Sequence, residues 1–203
     1  TYAVAYWSLY RHERDALSVA GSMKHAAGLW LAVAIVALEL KWRFGAWQFG
    51  DAWLTSVWGF CAAAALAGAV FWGDRGRWPV APHRETYRGL VLVPVGAFTV
   101  AWALFANFKA PGSMAPMPYL PLLNPVDAMV GLSLAALWMW SRWYINPDSE
   151  STGALRKAAG ALGFIWLNGI ALRSIHYWAG VPYEFDALYH SVLVQSTLSL
   201  LWT

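Results

Sequence analysis

Five long apolar runs dominate this chain and restrict what it can fold into. They span roughly 26–42, 52–72, 90–108, 126–145 and 154–175. A helix crossing a bilayer needs about 20 predominantly apolar residues, and all five runs reach that length class. Strands are a poor alternative. A membrane barrel shows alternating segments of about 10 residues, whereas these runs are longer and apolar all round. Backbone amides in lipid must be bonded within the segment, so each run predicts a helix. A sixth run begins near Ala187 and is still apolar at Thr203. At the other end Thr1–Tyr10 is apolar and aromatic, then stops abruptly at Arg11-His12-Glu13-Arg14-Asp15. Both ends read as partial helices of a longer protein. The predicted fold is an all-α integral membrane bundle, polytopic, with five full transmembrane helices and partial ones at each end. Residues 1–203 form one transmembrane segment.

Composition excludes other classes. Only 12% of the 203 residues are charged, against 59% hydrophobic. A soluble domain carries about 25% charged residues, so an ordinary cytosolic enzyme, a disordered tail and a nucleic-acid binder are set aside. The net charge of +3 is explained by orientation. Ten basic residues (Arg11, Arg14, Lys24, Arg75, Arg77, Arg84, Arg88, Arg142, Arg156, Lys157) fall on one side of the predicted helices. Four (Lys41, Arg43, Lys109, Arg173) fall on the other. The positive-inside rule makes the first side cytoplasmic. Loops 109–125 and 176–186 are then expected on the opposite side of the membrane.

Those two loops are the most unusual stretches. Pro111–Pro125 reads PGSMAPMPYLPLLNP, where proline forbids a regular helix; an ordered, non-helical apolar lid is predicted. His176–His190 reads HYWAGVPYEFDALYH. Many of the 15 tryptophans, including Trp42, Trp47, Trp53, Trp72 and Trp78, fall near predicted helix ends. Interfacial belts account for that placement, with stacking on a sugar or cofactor as the competing reading.

Shifting the chain by 135 positions aligns Gly28 with Gly163, Gly45 with Gly180, Asp51-Ala52 with Asp186-Ala187 and Ser56-Val57 with Ser191-Val192. One period holds an even number of helices, so a repeat of this kind is parallel rather than inverted. Residues 26–160 would be its first copy and 161–203 the start of a second.

Few side chains suggest chemistry. Asp51 and Asp186 precede apolar runs and read as N-caps. Glu39 lies inside the first run, where a carboxylate is a functional candidate, yet pairing with Lys41 or Arg43 at the interface suits it equally. Arg173 and His176 are three apart on one helix face, and Asp186 and His190 are four apart on another. Packed as a hairpin, these four can converge on the outer face. A His–Asp pair beside an arginine suits proton transfer with anion binding, and equally a structural ion-pair cluster. They are the catalytic candidates. Asn124, Asp127, Trp178 and Tyr183 are substrate-binding candidates at the same face, with Asn124 and Asp127 also readable as turn and cap. No metal signature, haem-ligand pattern or phosphate loop is present, and no cofactor is expected. Cys61, in an alanine-rich stretch with Gly59 and Gly68, reads as a small packing residue.

Three stretches resemble a known family: Ala27–Leu40, ending in Glu39-Leu40; Tyr119–Asp127, with its Pro-Leu-Leu-Asn-Pro core; and His176–Pro182 with Asp186–Leu188 and Ser191–Gln195. They are similar to the bacterial predicted membrane proteins called domain of unknown function 2339. The resemblance implies a long polytopic protein of the bacterial inner membrane, which would place loops 109–125 and 176–186 in the periplasm, and brings no activity or catalytic residues. Three function classes remain open, and whether any involves catalysis is not decided. One is a handler of a lipid-linked or envelope substrate in an outer-face polar pocket. Another is a transporter or channel built from parallel repeats. The last is a non-catalytic scaffold subunit. Expected partners are the lipid bilayer and the remainder of a longer chain or other membrane subunits, and no nucleic acid.

Overall fold

A computed structural model describes residues 19–144 and 151–203, with positions 3, 4, 7, 8 and 11. The partial helix expected over Thr1–Tyr10 lies largely outside the described residues. Within them the chain is helical. The helices are α1 (Val19–Ala46), α2 (Asp51–Asp74), α3 (84–109), α4 (Pro125–Tyr144), α5 (Ser151–Ala179), α6 (Phe185–His190) and α7 (Val192–Leu201). They run up and down between an arginine-rich end, carrying the α2–α3 connection, and a proline-loop end, carrying residues 110–124.

Four helices (α1, α2, α3 and α5) are long and apolar enough to cross a membrane. The fifth expected span, α4, has 20 residues and is not among them; Arg142 stands in its last turn, and Asp127, Ser133 and Ser141 also lie along it. The last three are buried. A helix enclosed by other helices can carry polar groups that a lipid-facing one cannot. Its most extensive packing is against α2. One core joins Ala26 of α1, Leu66 and Val70 of α2, Val91 and Val95 of α3, and Ala136 and Trp143 of α4. A second, nearer the proline loop, joins Ala52, Trp102, Ala106, Val126 and Val130. Cys61 packs with Ala37 and Val57, as a small apolar residue would.

Tryptophan does more than line the interfaces. Trp42, Trp47 and Trp72 are exposed at helix ends, as a belt requires. Others stand over glycines of neighbouring helices: Trp102 over Gly59, Trp143 over Gly73, Trp140 over Gly96 and Trp166 over Gly131. Several indole N–H groups also reach across helices. Trp30 donates to the Val91 carbonyl at 2.9 Å, Trp102 to Thr55 at 3.0 Å and Trp166 to Asp127 at 2.9 Å. In a medium without water an indole N–H gains from such a partner; the buried Trp140 N–H has none among the described residues.

Two helices depart from the expected bounds. In α3 the turn Tyr87–Val91 is π-helical. Pro94 offers no N–H to the Leu90 carbonyl and its ring crowds that oxygen, which favours a widened turn there. The run from Ala187 is not one helix but α6 and α7, separated at Ser191, whose hydroxyl accepts the Val194 N–H and caps α7.

Candidate functional site

The proline-loop end holds a buried polar cluster built from four elements. Asn107 lies in the last turn of α3, Tyr119 in the proline loop, Asp127 in the first turn of α4, and Arg173 and Ser174 on α5. Arg173, Asp127 and Asn124 are fully buried, and Asn107 nearly so.

Arg173 is the hub. Its Nε donates to Asp127 Oδ1 at 2.7 Å, and its Nη2 approaches the same oxygen at 2.5 Å. Its Nη1 donates to the Asn107 carbonyl at 3.2 Å and Nη2 to Asn107 Oδ1 at 3.1 Å. Helix ends explain the choice of partners. The last carbonyls of a helix lack intrahelical donors and carry partial negative charge. A guanidinium at the end of α3 satisfies one of them. A carboxylate in the first turn of α4 sits at the positive end of that helix. Arg173 thus ties the end of α3 to the start of α4 from a third helix, α5.

The remaining groups complete the cluster. Tyr183 OH donates to the Asn107 carbonyl at 2.9 Å. Asn107 Nδ2 donates to the Ile165 carbonyl of α5 at 2.7 Å. That approach needs a glycine: a Cβ on Gly169 would fall 2.0 Å from Asn107 Oδ1. Tyr119 OH lies 3.4 Å from Asp127 Oδ2 and 3.5 Å from Ser174 Oγ. Burial pushes the Tyr119 hydroxyl up to about 12, opposed by the Ser174 hydrogen bond and assisted by the Asp127 charge. Burial also raises Tyr183, with the Arg173 charge opposing.

The proline loop is the ordered, non-helical lid its prolines predict, fastened at both ends. Asn124 Oδ1 accepts the Val126 N–H at 2.8 Å, making it the turn-and-cap residue of α4, while its Nδ2 donates to the Gly112 carbonyl at 2.5 Å. Gly112 has φ +91°, the left-handed region that favours glycine. Asp51 departs from the N-cap expectation. Gly50 occupies the cap position, and Asp51 Oδ1 instead accepts the Ser113 N–H of the loop at 3.0 Å. The adjacent Ala52 N–H donates to the Ser113 carbonyl at 3.1 Å and the Gly50 N–H to Ala115 at 3.0 Å. The carboxylate serves the loop because the loop lies against the open end of α2.

The candidate residues therefore divide. Arg173, Asp127, Asn124 and Tyr183 come together. His176 stands one turn beyond Arg173, its Nδ1 2.7 Å from the Val181 carbonyl, bracing the turn at Gly180. Trp178 is 69% exposed and meets Tyr119 edge-on, beside the Tyr119–Tyr177 stack at 4.5 Å. Asp186 and His190 pair with each other, Nδ1 to Oδ1 at 3.3 Å, with side chains 91% and 69% exposed. Asp186 is not an N-cap either, since Glu184 holds that position. Glu39 pairs with Arg43 at 2.7 Å in the open, the interfacial alternative for it.

Sequence reasoning missed Asn107 and Tyr119. A lone Asn at the penultimate position of an otherwise apolar run was the available signal for the first. Among the described residues no three His, Cys, Asp or Glu side chains gather as a metal-holding group. Chemically the cluster has a carboxylate and a guanidinium, but each neutralises the other out of contact with solvent.

The family model described as "Predicted membrane protein (DUF2339)" matches residues 1–203. The chain belongs to this family. It is a membrane protein, as its helices require. No curated protein and no solved structure matches it.

Proposed function

We propose that this chain is a non-catalytic scaffold segment of a bacterial inner-membrane assembly, with the Arg173 cluster as the latch that fixes its periplasmic end. The observation that carries this reading is the enclosure of the Arg173–Asp127 pair, with the guanidinium engaged by Asp127 and Asn107. A buried pair of this kind specifies geometry more than it contributes stability. The outward faces fit a scaffold. On α1, Leu31, Ile35 and Leu38 are at least half exposed, and on α5 Phe164 and Leu167 are exposed. Such faces meet lipid or other transmembrane helices. Photo-cross-linking residues placed at Ile35 and Leu167 in native membranes test this. Discrete protein adducts are expected; adducts to lipid alone at both positions would overturn the scaffold reading.

One observation favours the handling of a lipid-linked or envelope substrate instead. Trp178 and the Tyr119–Tyr177 stack form an aromatic shelf at the proline-loop end, and the exposed Asp186–His190 pair lies on the following helix. Under that reading Asp186→Asn with His190→Ala abolishes function without affecting the fold. The transporter reading gains no comparable support. The slot between α1, α2 and α3, about 220 Å³, is lined by apolar and aromatic side chains such as Trp30, Val33, Trp58 and Phe98, which offer an ion no ligand.

A further inference from the structure

At the arginine-rich end, away from the latch, a groove of about 330 Å³ opens between α1, α2 and the α2–α3 connection. Its walls are apolar: Leu29 of α1, Gly68 and Trp72 of α2, Pro79, Val80 and Tyr87, with alanines of α2 between them. The volume lies at the lower end of the roughly 300–1,000 Å³ typical of ligand clefts. The polar groups nearest its inner end are already engaged, since His25 is buried with its Nδ1 3.0 Å from the Tyr87 hydroxyl.

Three cations lie within five residues of its lining along the chain. Lys24 precedes His25 on α1, Arg75 follows Trp72 by three residues, and Arg77 is two residues before Pro79. All three are exposed, and none makes an ion pair among the described residues. Among the described residues the neighbouring carboxylates are taken: Asp74 lies 3.6 Å from Arg84, and Glu85 is 3.4 Å from Arg88. Arg75 lies over the Phe71 ring at 3.4 Å, a partner that leaves its charge uncompensated. An apolar slot flanked in the chain by three exposed cations with no ion pair among the described residues matches an acyl chain joined to a phosphate. Basic pockets between transmembrane helices on the cytoplasmic side suit anionic headgroups in this way.

We infer that this groove binds an anionic phospholipid of the inner leaflet. One acyl chain lies along Leu29, Gly68 and Trp72, and the headgroup phosphate is held by Lys24, Arg75 and Arg77. The occupant is a lipid rather than an acidic protein segment because the groove lies between helices α1 and α2, both long and apolar enough to cross a membrane, where lipid is the surrounding solvent.

The test is native mass spectrometry of the full-length protein in detergent, offered equal amounts of phosphatidylglycerol and phosphatidylcholine. Phosphatidylglycerol adducts are expected to exceed phosphatidylcholine adducts at least tenfold. Replacing Lys24, Arg75 and Arg77 together by Gln should weaken phosphatidylglycerol retention by about fivefold per charge removed. Gly68→Leu fills the slot. A Cβ there meets nothing closer than Trp72 at 3.5 Å, so the helix accommodates it, and retention should fall while the fold persists. Arg156→Gln with Lys157→Gln, on the same face elsewhere, should change nothing. Equal retention of the two lipids would overturn the inference. So would an equal loss in the Arg156/Lys157 control, or displacement of the lipid by millimolar inorganic phosphate alone. If Gly68→Leu fails to fold, the triple Gln variant, altered only at exposed positions, still decides.

Discussion

Adding one methyl group at Gly59 should test the glycine–tryptophan packing that joins α2 to α3. In a free helix Gly→Ala is favourable by about 1 kcal/mol. Here the new Cβ would fall 2.2 Å from Cζ3 and Cη2 of Trp102, well inside the ordinary contact distance of about 3.5–4.0 Å between carbons. Trp102 is 6% exposed and its N–H is committed to the Thr55 carbonyl, so the ring has little room to retreat. Overpacking of this kind costs about 1–3 kcal/mol. Displacing the ring also forfeits a hydrogen bond worth about 1 kcal/mol. Set against the propensity gain, the net expectation is a destabilisation of about 2 kcal/mol. Thermal unfolding in detergent, followed by near-ultraviolet circular dichroism, measures it. Gly163→Ala is the control, because nothing lies within 4 Å of a Cβ there. Equal stability of the two variants would refute the reasoning. A second check is Trp102→Leu, in whose background Gly59→Ala should lose most of its effect.

Gly112→Ala should destabilise by about 2 kcal/mol in the same assay. The left-handed φ alone costs about 1–2 kcal/mol, and the Cβ would press on Arg173 Cδ and Asn124 Nδ2 at 3.0 Å. Tyr119 should stay protonated until pH passes about 12. Its folded value is raised above the ordinary 10, so its contribution to stability is full below pH 10 and is lost as pH rises through 12. Alkaline unfolding of Tyr119→Phe should therefore show a shallower decline across that window than wild type. Asp186→Asn and His190→Ala should each change stability by less than about 0.5 kcal/mol, as exposed positions do, and a larger drop in melting temperature would place the pair in a contact this account omits.

The helical architecture was legible because length and apolarity are local properties. A run of about 20 apolar residues can satisfy its backbone in lipid only as a helix, and Pro111–Pro125 can hardly be one. The division at Ser191 was not legible, since it depends on a hydroxyl folding back onto the Val194 N–H within a stretch that reads as uniformly apolar. The latch was half legible. Arg173 and Asp127 stood out as charges near helix ends, but the hairpin argument pairs Arg173 with its sequence neighbours His176 and Asp186. Its partners come instead from α3 and α4, 66 and 46 residues away. Spacing along one helix reveals which residues share a face, not which helix lies opposite. Asp51 shows the same limit: the position reads as a cap, and only the docked loop turns its carboxylate toward Ser113.

The central claim is that the Arg173–Asp127 pair is an architectural latch, and a double-mutant cycle tests it most directly. Asp127→Leu and Arg173→Met should each destabilise the protein by about 3–5 kcal/mol, because each leaves its partner's buried charge unpaired. The double variant should recover most of that loss, with melting temperature near wild type and the host phenotype of the full-length protein intact. A double variant that folds with wild-type stability but cannot support the phenotype would contradict the latch and make the pair part of a working site.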